Sequence, residues 1–204
     1  MTYLVRCHAI GTIMPDGKGS LLSVGAKTYL RQEVRRMFYG YRETFSSKPT
    51  EKGLRCEDES TQLFNDVFLT DHAKNTERKS DGLFSGECDI PGIDIKTSWS
   101  LATFPAFVQD AHNSDYEWQA RGYMRLWDMP HWDIAYCMVD TPDDLIGFEP
   151  REIHKVSHID DHKRITVVRY MRDAEKEARM VEKAKAAQQY VAEMLQLLHT
   201  EKGI

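Results

Sequence analysis

Asp89, Asp94 and Lys96 have the residue types and spacing for metal-assisted hydrolysis. They lie in Gly86-Glu-Cys-Asp-Ile-Pro-Gly-Ile-Asp-Ile-Lys-Thr-Ser-Trp99. Pro91-Gly92 is a turn signal, because Pro pre-sets one central φ and Gly supplies a positive φ at the next position. Polar and apolar residues alternate on both sides, the period of a half-buried strand. A hairpin closed at Pro91-Gly92 sets Ile90 opposite Ile93, Asp89 opposite Asp94, Cys88 opposite Ile95 and Glu87 opposite Lys96. Directly opposed Cβ atoms lie about 4.5–5.5 Å apart. Two carboxylates about 5 Å apart repel by about 3 kcal/mol at an effective dielectric near 20. A divalent cation removes that repulsion, and carboxylate oxygens suit Mg²⁺ or Mn²⁺. Lys96 then orients a water or steadies charge developing on a phosphate. The plainer alternative is an exposed hairpin with solvated charges.

The elements around this stretch must position it. Ser23 is the N-cap of a helix with apolar positions at Leu30, Val34, Met37, Phe38 and Tyr41. Lys27, Arg31 and Arg35 form a basic stripe on another face, either a track for a phosphate backbone or a solvated face. A second helix runs from Thr50 or Glu51 to Leu69, with Glu57 at the margin of its apolar stripe. Ser114 and Glu117 match a capping box opening a helix on which Gln119 and Tyr123 share a face. Ile134 to Val139 reads as a buried strand. His154, His158 and His162 recur at four-residue steps, which suits metal only in a helix. The surrounding pattern instead suggests a strand-and-loop connection. A short strand over 165–169 precedes a long helix from Tyr170 to about His199, with a stripe at Met171, Ala174, Ala178, Val181, Ala184, Val191, Met194 and Leu198.

Composition narrows the class. The chain has 204 residues, 41% hydrophobic and 29% charged, enough for one folded domain with a full core. No apolar run reaches membrane-spanning length, and the N-terminus lacks a signal-peptide layout, so a cytoplasmic location, in a bacterial host, and no membrane partner are expected. Cys7, Cys56, Cys88 and Cys137 are scattered, which predicts reduced core thiols and no iron–sulfur cluster. A net charge of −5 argues against a general nucleic-acid coat protein, though not against an enzyme with a local basic groove.

Four motifs then occur in order: Gly53-Leu-Arg-Cys-Glu57, Gly86-Glu-Cys-Asp89, Asp94-Ile-Lys96 and Gln119-Ala-Arg-Gly-Tyr123. This set resembles the PD-(D/E)XK nuclease superfamily, in the branch of RecB-type nuclease domains and lambda-type phage exonucleases. Further likeness to small phage and prophage nucleases lies in Phe45-Ser-Ser-Lys48, Glu51-Lys-Gly53, Lys74-Asn75, Asp94 to Ser100 and Thr103-Phe-Pro105. It covers about residues 20–142, and the strand and long helix over 150–200 are supported more loosely. Asp94 departs from the commoner Glu at that position. The resemblance implies an α/β fold, a restriction-endonuclease-like mixed β-sheet flanked by α-helices, with a long C-terminal helix and residues 1–204 as a single domain. It implies Asp89, Asp94 and the Ile95 carbonyl as ligands of Mg²⁺ or Mn²⁺, with Glu57 completing the shell. Lys96 would position the attacking water, while Gln119, Tyr123, Lys48 and Lys74 would contact substrate. The implied activity is a metal-dependent deoxyribonuclease, an exonuclease of phage recombination or DNA processing. Its partners would be DNA, a phage single-strand annealing protein and further copies of itself. A structure-specific or defence-type endonuclease and a non-catalytic DNA-binding or assembly protein are the alternatives.

Overall fold

The computed structural model describes residues 2–41 and 46–204; Phe45 of the Phe45–Lys48 stretch lies outside them. In chain order the elements are β1 (Val5–Arg6), α1 (Ile10–Ile13), α2 (Val24–Tyr39), α3 (Lys48–Arg55), α4 (Glu57–Phe68), β2 (Arg78–Ser80), β3 (Phe84–Glu87), β4 (Ile93–Thr97), α5 (Ser114–Trp127), β5 (His131–Cys137), α6 (Asp143–Ile146), β6 (Ile165–Met171) and α7 (Ala174–Lys202). Short 3₁₀ turns fill several connections. The mixed α/β architecture and long terminal helix agree with the sequence reading.

The strands form two mixed three-stranded sheets, ordered β1-β3-β2 and β4-β5-β6. In the first, β3 runs parallel to β1 and antiparallel to β2. In the second, β5 runs parallel to β4 and antiparallel to β6. The crossover between parallel β4 and β5 is made by α5, as a parallel pair requires.

The hairpin expected around Pro91-Gly92 is therefore only a turn. Ile90 and Ile93 form an isolated antiparallel bridge, and Gly92 takes the positive φ the turn needs. Beyond that bridge the two sides separate. Glu87 pairs with Arg78, whereas Asp94 pairs with Ile134 and Lys96 with Tyr136. Packing explains the split. Cys88 joins the main apolar cluster, while Ile93 and Ile95 pack on a second cluster of Cys56, Leu63, Phe64, Ala135, Cys137 and Val139. Two cores pull the two sides of the turn apart, so Asp89 and Asp94 are not opposed in a ladder.

The helices cover opposite faces of the β4-β5-β6 sheet. α4 lies on the Ile93 and Ile95 side; α5 lies on the side of Ile134, which shares the main cluster with Tyr123, Met124 and Trp132. Alternation along β4 thus turns Asp94 and Lys96 toward α5. The single helix expected over about 50–69 is two. α3 begins earlier, capped by Ser47, and the chain breaks at Cys56 (φ −110°, ψ 17°). That break makes Glu57 the first residue of α4, where the helix dipole favours a carboxylate.

Three further expectations are corrected. Asn113, not Ser114, caps α5, accepting from the backbone N–H groups of Asp115 and Tyr116. Asp173 caps α7 and β6 extends through Met171, so Tyr170 and Met171, expected to open the long helix, belong to the strand. The basic stripe on α2 faces α7: Arg31 Nε donates to Tyr190 Oη at 2.9 Å, and Lys27 Nζ lies 5.9 Å from that ring. Ser23 does cap α2, and all four cysteines are free and buried. Among the described residues, no helix is long and apolar enough to cross a membrane.

Candidate active site

Asp94 lies on β4 at 8% exposure, beneath α5. Its Oδ2 is buried and lies 2.9 Å from Lys96 Nζ, yet accepts no hydrogen bond of good geometry. The ion pair with the Lys96 ammonium offsets the cost of burying that oxygen, and a divalent cation would meet the same oxygen. Lys96 is held from three sides. Its Nζ faces Asp94, donates to Gln119 Oε1 at 3.3 Å and lies 4.5 Å from the centre of the Tyr116 ring. The charge is thereby aimed by a carboxylate, an amide and an aromatic face.

Gln119 and Tyr123 are joined one helical turn apart. Gln119 Nε2 donates to Tyr123 Oη at 3.2 Å, and that hydroxyl donates to the Glu87 carbonyl at 3.0 Å. The Tyr123 ring is 6% exposed and packs with Trp127 and Trp132, with ring centres 5.7 and 5.1 Å away. Burial pushes its hydroxyl well above the ordinary phenol range. A ring so enclosed offers no face on which an unpaired base could stack. Tyr123 instead anchors Gln119, and Gln119 anchors Lys96.

Glu57 and Asp89 meet in a neighbouring cleft of about 210 Å³ lined by Thr61, Asn65, His72 and Lys74. The Lys74 ammonium hydrogen-bonds Glu57 and lies 3.9 Å from Asp89 Oδ1. Burial raises the Asp89 carboxyl above its usual value, Glu57 raises it further, and Lys74 opposes both. Asp94 and Lys96 also act on Asp89, so the two clefts form one electrostatic unit. Among the described residues, no three His, Cys, Asp or Glu side chains are gathered to hold an ion as they stand. Even so, the donor chemistry is that of a hard divalent cation: carboxylates only, with Asp94 buried.

Sequence reasoning missed Asn75 as a positioning residue. Its N–H donates to the Asp89 carbonyl at 2.6 Å and its Nδ2 to the Cys88 carbonyl at 2.8 Å, which fixes the backbone beneath Asp89. It stands in an irregular segment, so no periodicity could reveal it. Lys52 was also missed. It is fully buried, and its Nζ donates to the carbonyls of Ser98, Trp99 and Val139 at 2.7–3.0 Å, tying α3 to the ends of β4 and β5. Lys48 is exposed at the start of α3, with its ammonium beside Gly147. His154 is a packed structural group: Nδ1 meets Thr141 Oγ1 at 3.0 Å, Nε2 meets Glu149 at 3.2 Å, and the ring is edge-on to Trp99. His158 lies exposed in a turn and His162 exposed in the short 3₁₀ turn Asp161–Arg164.

A further cleft of about 160 Å³ opens beside Tyr123. Arg6, His8, Arg78 and Ser85 line it. Its floor is tight at Gly86, where a Cβ would come within 2.8 Å of the Tyr123 ring.

The fold is that of known nucleases. A phage related exonuclease from Haemophilus somnus 129PT matches with a TM-score of 0.89 at 29% identity, covering 97% of each chain. An alkaline exonuclease from Laribacter hongkongensis shares the fold, with a TM-score of 0.73 at 11% identity over 98% of this chain and 93% of that one. No protein-family model and no curated protein matches. The resemblance to the phage-exonuclease branch of the PD-(D/E)XK nucleases thus extends from four short motifs to the length of the chain.

Proposed function

We propose that the chain is a divalent-metal-dependent exodeoxyribonuclease acting on duplex DNA. The observation that carries this reading is the buried Asp94 carboxylate paired with a Lys96 ammonium that Gln119 and Tyr116 hold in place. The exonuclease neighbours supply the substrate class, and the Laribacter enzyme is also known in complex with dAMP. Asp94, Asp89 and the Ile95 carbonyl would hold Mg²⁺ or Mn²⁺, with Glu57 completing the shell. The bound ion would supply Lewis-acid activation of the phosphodiester and of water.

This chain's own groups do the rest. Lys96 holds a water by its ammonium and steadies the extra negative charge on the phosphate in the transition state. Gln119 fixes the direction of that ammonium, and the Tyr123 hydroxyl fixes Gln119. Arg6, His8 and Arg78 draw the phosphate backbone to the site. Phage relatedness of the Haemophilus neighbour supports a role in phage recombination within the bacterial cytoplasm. An annealing protein and further copies of the chain are the partners we extend to it.

The test is incubation with linear and covalently closed circular duplex, with Mg²⁺ and with EDTA. Linear duplex should fall to short products only with Mg²⁺, and closed circles should survive. Rapid cutting of closed circles would replace the exonuclease reading with an endonuclease.

A further inference from the structure

The Lys74 ammonium stands where a cation is needed. It bridges Glu57 on α4 and Asp89 ahead of the turn, two acids brought together from different segments. The side chain is 57% exposed and rises from the irregular segment between α4 and β2, so its departure opens no core. Asn75, the next residue, is pinned to the Asp89 carbonyl. An ammonium leaving the acids therefore stays within reach of whatever the site binds.

We propose that Lys74 occupies the cation place between Glu57 and Asp89 in the metal-free protein and exchanges it for a DNA phosphate when a divalent ion enters. This rests on the metallonuclease reading above. A metal binding these acids must displace one positive charge, and the displaced charge becomes a new phosphate contact. Metal and DNA therefore strengthen each other's binding, and by linkage the coupling is equal in both directions. In the absence of metal, Lys74 is engaged by its two carboxylates and gives DNA nothing.

Two measurements on the full chain test this. In calorimetric titration with Mn²⁺ alone, Lys74→Met should bind the ion about tenfold or more tightly than wild type, since no ammonium has to leave. Equal or weaker binding by the variant overturns the exchange. If neither protein binds Mn²⁺, the metallonuclease reading falls and the proposal with it. In the second measurement, DNA affinity is followed against salt with Ca²⁺ and with EDTA. With Ca²⁺, Lys74→Met should flatten the log K against log[salt] slope by about 0.9, one phosphate contact. In EDTA the two slopes should coincide. An equal flattening in both conditions means a permanent phosphate contact and overturns the exchange.

Discussion

Lys96 Nζ lies 3.3 Å from Gln119 Oε1, joining strand β4 to the helix that crosses over it. This bond makes the direction of the lysine a property of α5. Removing the ammonium should act on the chemical step. Lys96→Ala is expected to lower kcat by about 100-fold or more with DNA affinity changed little, because the lost interaction belongs to the transition state. Single-turnover cleavage and equilibrium binding together separate the outcomes. A variant that loses affinity and keeps its rate would reduce Lys96 to a phosphate contact.

Tyr123 should divide into hydroxyl and ring. Tyr123→Phe removes the group that takes a hydrogen bond from Gln119 and gives one to Glu87. It should slow cleavage several-fold while leaving the melting temperature nearly unchanged. Tyr123→Ala empties a site packed by Trp127 and Trp132 and should cost about 3–5 kcal/mol of stability. A stable Tyr123→Ala that fails only on unpaired DNA ends would restore a base-stacking role.

The acids and the lysine were legible because their chemistry is local: an acid, a turn, then Asp-x-Lys. The helix carrying Gln119 and Tyr123 was legible from its period. What the residues near Pro91 could not reveal is that Cys88 and Ile95 belong to two different apolar clusters. A hairpin and a bare turn share one alternating pattern, and only distant packing decides between them. For the same reason Tyr123 read as an open aromatic until Trp132, on a separate strand, enclosed it. Lys27 and Arg31 looked solvated or DNA-facing because Tyr190, their partner on α7, lies some 160 residues away. Asn75 and Lys52 act through backbone carbonyls, whose positions no side-chain pattern records.

Lys52 should prove structural. In Lys52→Met the Ser98 and Val139 carbonyls lose their side-chain donor, while the Trp99 carbonyl still accepts from Thr141 Oγ1 at 3.1 Å, and burying each unsatisfied group costs about 1–3 kcal/mol. A loss of about 3 kcal/mol or more is expected by denaturant unfolding, with cleavage falling because the ends of β4 and β5 loosen. A variant as stable as wild type would show that water replaces the ammonium freely.

Glu117 pairs with Arg121 within α5 and links α5 to α7 through Lys176. Burial pushes its carboxyl up, but the Lys176 and Arg121 hydrogen bonds outweigh it and hold the carboxyl below its ordinary 4.5. A depressed folded value adds stability above the unfolded value and loses it as pH falls through the folded one. Glu117→Gln should therefore destabilise the protein by about 1–3 kcal/mol at pH 7. The gap to wild type should close as pH falls below about 4.5. A gap that is constant with pH would mean the contribution is packing and not charge.

The central claim is that Asp94 holds the metal for phosphodiester cleavage, and Asp94→Asn tests it most directly. The amide keeps the shape of the carboxylate and removes the charge a divalent ion needs. Cleavage of linear duplex in Mg²⁺ is compared with wild type at matched circular dichroism. A fall of about 100-fold or more, to at least 2.7 kcal/mol of lost transition-state stabilisation, is the predicted result. Wild-type cleavage by the Asn variant would contradict the site.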